Sequence, residues 1–88
     1  MRPGIDVRLI DVSTEGASIE TAHRLLPGRR LVLQLSFASC ALDVRSVVLR
    51  SVVSHASADR IAYRGGLVFE RPLRWIVDAT GVTGALVD

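Results

Sequence analysis

Near the start of the chain lie three residues that are common in tight turns and in binding sites for polar ligands: Asp11, Ser13 and Gly16. Asp and Ser side-chain oxygens can bond to backbone N–H groups one or two residues on, and glycine can adopt a positive φ that most residues avoid. The same carboxylate and hydroxyl can instead hydrogen-bond to a ligand. The spacing predicts a tight turn, and two interpretations stay open: a self-stabilised turn, or a turn that also binds a ligand.

Other combinations of reactive residues are poor candidates for chemistry. His23 and His55 lie in polar turns and Cys40 is the only cysteine, so the paired ligand spacing of a zinc site is absent. A hydrolase triad can be assembled on paper from Ser13, a histidine and Asp11, but no nucleophile-elbow or oxyanion signature supports it. We therefore predict a protein that is not an enzyme, with no catalytic residue, metal site or cofactor.

Length and composition predict one small domain over residues 1–88, of which 49% are apolar. No apolar run approaches the ~20 residues that cross a bilayer, and no signal peptide precedes Ile5. A single cysteine suits a reducing compartment, so we expect a cytoplasmic protein without membrane contact. The charged residues, eleven Lys or Arg and nine Asp or Glu, are scattered. No binding of DNA or RNA is expected.

All of the basic residues are arginine, and the sequence contains no lysine. One interpretation is a biased genomic base composition. The other is that some of the guanidiniums face phosphates or stack on planar bases, which their flat five-donor fork suits better than an ammonium. Both interpretations stay open.

Alternating apolar residues predict a mainly β protein with strands at about 5–11, 17–20, 31–37, 42–54 and 61–70. The apolar phase changes within the long fourth strand, which predicts a bulge near Arg45-Ser46. Such a long, bent strand is typical of a small barrel. Spacing of i, i+3, i+4 after Pro72 predicts a short helix at about 72–79, with Trp75 across the barrel mouth or on a partner. The order of residues 82–88 is left undecided.

The corner and its surroundings resemble the PilZ domain family, bacterial receptors for cyclic di-GMP built on a six-stranded antiparallel barrel with a C-terminal helix. Asp11-x-Ser13-x-x-Gly16 is similar to the second signature of that family. Three further matches follow in the family order, over roughly residues 5–79: Pro27-Gly28, Val47-Val48-Leu49-Arg50 and Gly66-Leu67-Val68-Phe69. The resemblance implies a small antiparallel barrel of five to six strands, of split or Greek-key type, with a short C-terminal helix.

One departure from the family pattern concerns its first signature. The family carries an Arg-x-x-x-Arg motif before the corner, with a strand between, and its two guanidiniums grip guanine faces and phosphates. Only ten residues precede Asp11, and the two arginines among them, Arg2 and Arg8, have the wrong spacing. The chain is therefore a degenerate member or a piece of a longer protein. Losing two charge-assisted contacts weakens binding by roughly 100-fold to well over 10,000-fold.

Two functions follow from the resemblance. The first is a signalling module that binds cyclic di-GMP at Asp11, Ser13 and Gly16, helped by arginines elsewhere in the chain or on a partner. The alternative is a degenerate, non-binding adaptor that acts through protein contacts in motility or type IV pilus regulation, which the sequence does not separate from an enzyme accessory domain. Because the first strand of the family is missing, we expect an exposed strand edge that a protein partner or a second copy would cover.

Overall fold

Six β-strands, all joined by antiparallel pairing, make up the fold. A computed structural model describes residues 5–37, 40–73 and 81–87. The strands are β1 (Ile5–Val12), β2 (Gly16–Thr21), β3 (Arg30–Phe37), β4 (Cys40–Ala56), β5 (Ile61–Phe69) and β6 (Val82–Val87). They close into a barrel in the order β1-β2-β5-β4-β3-β6. The predicted fold class, a mainly β antiparallel barrel, is confirmed, and the ends of β1 to β5 lie within two residues of the predicted ranges.

The barrel interior is filled by every second side chain of the strands, as the alternation predicts. On β3, Leu33 and Leu35 are fully buried, and Ile19 of β2 is equally enclosed. Leu25, from the loop between β2 and β3, packs on this core at the end of the barrel, and its Cδ1 would lie only 2.5 Å from a Cβ at Gly65. The absence of a side chain at Gly65 therefore makes room for a leucine that covers the barrel mouth.

The phase change of apolar residues in β4 does not arise from a bulge at Arg45-Ser46, and that prediction is wrong. Ser46 continues the inward-facing alternation although it is polar, and it is completely buried. Its hydroxyl donates a hydrogen bond to the Val44 carbonyl at 3.1 Å, which satisfies the buried group. The bulges of β4 lie further on, where Leu49 and Ser54 interrupt the pairing with β5.

The barrel is closed by β6, which corrects the prediction of an exposed edge left by a missing first strand. On one side Ala85 of β6 pairs with Asp6 of β1, and on the other it pairs with Gln34 of β3. β6 thus pairs with residues 5–7 of β1 and with residues 32–37 of β3 from within the chain. The sequence left residues 82–88 undecided because the strand is short and contains Gly84.

A β-hairpin, formed by the far half of β4 and the start of β5, extends past the rest of the barrel. The pairing of β4 with β3 ends at Val47, whereas its pairing with β5 continues to Ala56. Beyond the barrel the hairpin carries exposed apolar side chains, of which Leu49 (65% exposed) and Val52 (59%) are the most accessible.

The predicted helix at about 72–79 lies almost entirely outside the described residues, as does Trp75. Of its predicted span, the structure describes Pro72 and Leu73, which belong to neither a helix nor a strand. Across the described ranges, no helical segment has the length and apolarity that crossing a bilayer requires.

Candidate functional site

The Asp11–Gly16 corner is the connection between β1 and β2, as predicted, and Ser13 stabilises it. The Ser13 N–H donates to the Gly16 carbonyl at 2.8 Å. The Ser13 hydroxyl donates to the same carbonyl at 3.3 Å and accepts from the Glu15 N–H at 3.4 Å, both long contacts. The backbone bond therefore sets the turn and the hydroxyl supports it. This geometry fits the interpretation in which Ser13 serves the turn.

Gly16 is needed for a different reason from the one expected. It does not have a positive φ, which among the described glycines occurs at Gly28 and Gly81. Gly16 instead lies in β2, directly opposite Val68 of β5, where a Cβ would overlap the Leu67 carbonyl oxygen. The absence of a side chain lets the two backbones approach, and the explanation by positive φ is wrong.

Asp11 is turned to the outside of the barrel by a bulge that the sequence analysis did not anticipate. Leu9 pairs with Ile19 and Asp11 with Ser18, which leaves Ile10 as an extra residue in β1. As a result Ile10 and Asp11 are both exposed, while Val12 returns to the core. Among the described residues, the Asp11 carboxylate has no hydrogen-bond or ion-pair partner. Of the three predicted site residues, it alone has a side chain available to a ligand.

The corner is fixed against the segment that leaves β5. The Thr14 carbonyl accepts a hydrogen bond from the Leu73 N–H at 2.7 Å, and the Glu15 carbonyl accepts one from the Phe69 N–H at 2.9 Å. Backbone bonds of this length hold both sides of the turn without using any side chain. Asp11 is therefore presented from a turn whose backbone is braced on a second element.

A cluster of ionic side chains lies beside Asp11 on the outer face. Glu20 of β2 accepts from Arg8 Nε at 3.3 Å, and its other oxygen lies 3.8 Å from an Arg64 terminal nitrogen. The Ser54 hydroxyl donates to Glu20 at 2.9 Å. This hydrogen bond, followed by the charges of Arg8 and Arg64, holds the pKa of Glu20 below its ordinary value. Glu20 stays ionised at neutral pH and keeps both guanidiniums engaged.

A second pair of arginines lines a cleft of about 490 Å³ between β4 and the segment after β5. Arg45 and Arg71 are both exposed there, but Asp43 and Glu70 line the same cleft. Two positive and two negative groups leave it without a net charge, and neither Asp11 nor Ser13 lines it. The cleft is therefore a poor candidate for a phosphate-binding site, because the two acidic side chains offset its arginine pair.

The histidines and the cysteine occupy separate places on the surface. His23, His55 and Cys40 are all exposed. Within the described ranges, no three His, Cys, Asp or Glu side chains come together as metal ligands would. This part of the chain offers no cluster that a metal-dependent reaction would use.

The described residues form a closed antiparallel barrel that presents the Asp11 carboxylate from a braced hairpin corner. The family model of the PilZ domain matches residues 2–76, and the chain belongs to this family. Its class is thus that of the binding and adaptor modules of cyclic di-GMP signalling. The closing strand β6 lies beyond the matched residues. The chain has no match among the curated proteins or among the solved structures.

Proposed function

We propose that this domain is a weak cyclic di-GMP receptor that binds its ligand on the outer face of β1, β2 and β5, beside Asp11. The observation that carries the proposal is the Asp11 carboxylate, which the Ile10 bulge turns outward and which no described residue engages. The guanine edge offers an N–H and an amino group side by side, and a carboxylate can accept both hydrogen bonds.

The roles of the three predicted site residues differ under this proposal. Asp11 contacts the base, whereas Ser13 orients the turn through its bonds to Gly16 and Glu15. Gly16 acts by letting β2 approach β5. One carboxylate supplies only part of the binding energy of a complete site, so the affinity is expected to fall well below that of a domain with an Arg-x-x-x-Arg motif.

Asp11→Asn is expected to weaken cyclic di-GMP binding by about 10- to 100-fold, because an amide loses the charge and turns one acceptor into a donor. Isothermal titration calorimetry on the full chain measures the change. Asp6→Asn is the matched control: Asp6 is exposed on the same strand, about 17 Å away along β1. It removes the same charge and should leave the affinity within about twofold.

Two results would contradict the proposal. One is the absence of heat when the unaltered chain is titrated at high micromolar dinucleotide. The other is an equal loss of affinity in the Asp6 and Asp11 variants, which would indicate attraction by overall charge and not a contact at the corner.

The second candidate function is an adaptor that acts through protein contacts, and the projecting β4–β5 hairpin favours it. Leu49 and Val52 are more than half exposed on this hairpin, and within the described ranges no strand pairs with the other side of β4 from Leu49 to Ala56. An unpaired strand edge with apolar side chains can accept a further strand. This edge differs from the one expected from the sequence, because it arises from the length of β4 and not from a gap in the barrel.

If the hairpin joins two copies, sedimentation velocity should show a concentration-dependent dimer in the unaltered chain. The double variant Leu49→Gln/Val52→Thr should remain monomeric, since both changes keep strand-compatible residues while removing apolar surface. Ile10 is an exposed apolar residue on β1, outside the hairpin. The control variant Ile10→Gln should therefore leave the dimer intact. A monomer at all concentrations would remove the self-association form of this candidate.

A further inference from the structure

Four residues from four neighbouring strands form a single row across the outer face of the barrel. Asp11 pairs with Ser18, Ser18 with Gly66, and Gly66 with Arg50. Directly paired residues point to the same face of a sheet, and the two ends of the row are exposed. Three strand spacings separate the Cα atoms of Asp11 and Arg50 by about 14 Å along the curved sheet. Only a serine and a glycine, the floor of the row, lie between them, so no large side chain of β2 or β5 separates the two ends.

Arg50 lies over this floor. A Cβ placed on Gly66 would come within 3.8 Å of Arg50 Cγ and 3.9 Å of its Nε. The side chain therefore crosses from β4 onto β5, above the position where Gly66 has no side chain. A bulge at Leu49 lies immediately before Arg50. Bulges change the direction of the side chains that follow them, so this one affects where Arg50 points.

The other arginines near this face already have acidic neighbours. Arg8 and Arg64 are held by Glu20 in the adjacent row. In contrast, Arg50 has no ion pair with any described residue. Its guanidinium is thus the one on this row with its donors available, and a guanidinium can bind a phosphate through two parallel N–H···O bonds.

We infer that the row from Asp11 to Arg50 is a binding platform for one guanine nucleotide, with Arg50 supplying the phosphate contact. The inference rests on the proposed function and deepens it. Asp11 accepts hydrogen bonds from the guanine edge at one end, the base and sugar lie over Ser18, and Arg50, which extends over Gly66, holds the phosphodiester at the other end. Because Arg50 extends back over Gly66, the gap between the two charged groups is shorter than the 14 Å between Cα atoms. An arginine on β4 thereby makes a contact of the kind that the Arg-x-x-x-Arg motif of the family makes.

The test is calorimetric titration of cyclic di-GMP into variants of the full chain. Arg50→Gln should weaken binding by about 10- to 100-fold, and Arg50→Lys should give an intermediate loss because it keeps the charge without the fork. Arg45→Gln removes the same charge from an exposed site on the same strand and should stay within about twofold. Circular dichroism should show the same folded signal in all four proteins.

A further variant tests the position above Gly66, where the Arg50 side chain lies. Gly66→Val adds methyl groups that displace this side chain from the row without removing its charge, while the new Cβ itself meets nothing closer than 3.8 Å. It should abolish detectable binding while the thermal midpoint is retained. In amide NMR spectra of the unaltered chain, the dinucleotide should shift the signals of Ser18 and Gly66.

The outcomes separate this inference from the proposed function. If the unaltered chain binds and Asp11→Asn weakens it, while Arg50→Gln and Gly66→Val have no effect, the platform is wrong and the corner remains the site. Shifts confined to the cleft of Arg45 and Arg71 would also overturn the platform. If the unaltered chain gives no heat and no shifts, both proposals fail together.

Discussion

Replacing Gly16 by alanine is expected to lower the free energy of unfolding by about 2–3 kcal/mol, because the new methyl group overlaps a backbone atom and not a movable side chain. The obstacle is the carbonyl oxygen of Leu67 in the paired strand β5. To relieve the overlap, β2 and β5 must move apart, which weakens their hydrogen bonds at the end where the corner is braced. A domain of this length has about 4–13 kcal/mol of stability in total, so the loss is large.

Urea or thermal unfolding followed by circular dichroism measures the loss, which corresponds to a fall of about 10–20 °C in the thermal midpoint. Gly66→Ala is the matched control on β5. A Cβ at Gly66 meets only Arg50, at ordinary contact distance, and Gly66 does not have a positive φ. That variant should therefore be neutral or up to about 1 kcal/mol more stable, through a less flexible unfolded chain. Equal stability of the two variants would show that the β2–β5 approach does not depend on Gly16.

The Gly16 prediction also bears on how the corner motif is interpreted. The Asp-x-Ser-x-x-Gly pattern suggests three residues that contact a ligand, yet two of them have structural roles that need no ligand. Ser13 bonds to the turn that contains it, and Gly16 permits close strand packing. Only Asp11 is left with an unengaged side chain among the described residues. The presence of the pattern is therefore weaker support for binding than the orientation of Asp11.

The strands were predictable wherever the alternation of apolar residues matches the alternation of burial. In β3, Leu33 and Leu35 are both apolar and fully buried, so the apolar positions of the pattern are the ones that face the core. The pattern misleads in β4, where the inward position is taken by Ser46 and satisfied by a local hydrogen bond. A buried serine has the sequence appearance of a surface residue. For that reason the phase change was placed at the wrong residue.

The bulge in β1 and the row of site residues depend on pairing between strands, which no local pattern contains. Ile10 becomes an extra residue only because Leu9 and Asp11 pair with residues one apart on β2. Arg50 shares a row with Asp11 although 38 positions separate them in the sequence. The sequence indicates that arginines outside the Arg-x-x-x-Arg pattern of the family can contribute to binding. It could not indicate which of them lies on the same face as the corner.

The closing strand was the least predictable element, since its partners β1 and β3 both lie in the first half of the chain, far from it in sequence. Residues from Val82 to Val87 include Gly84, and glycine weakens an isolated strand signal. In the fold, however, Gly84 is buried opposite Val7 and Leu35, where a Cβ would lie 3.3 Å from Val7 and 3.5 Å from Leu33. The absence of a side chain at Gly84 weakens the strand pattern in the sequence, and it also lets β6 fit between β1 and β3.

Ala85→Pro is expected to lower the free energy of unfolding by about 3 kcal/mol or more, because β6 is a central strand that pairs on both sides. Ala85 stands opposite both Asp6 of β1 and Gln34 of β3. Proline has no N–H for the ladder, and its ring does not fit between two neighbouring strands. The barrel should open at this seam, so that the amides of β1 and β3 exchange with solvent faster than those of β5.

The control for this variant is Ala85→Thr, which keeps the N–H and places a strand-forming side chain on the outer face. Its free energy of unfolding should lie within about 1 kcal/mol of the unaltered chain. Urea unfolding measures both variants, and hydrogen exchange of β1 and β3 locates the opening. β6 would not be the strand that closes the barrel if Ala85→Pro kept the urea midpoint of the unaltered chain, or if amide hydrogen exchange rose equally in all strands. The backbone edges of β1 and β3 would then be open to a partner, and the adaptor function would gain a surface that the closed barrel does not offer.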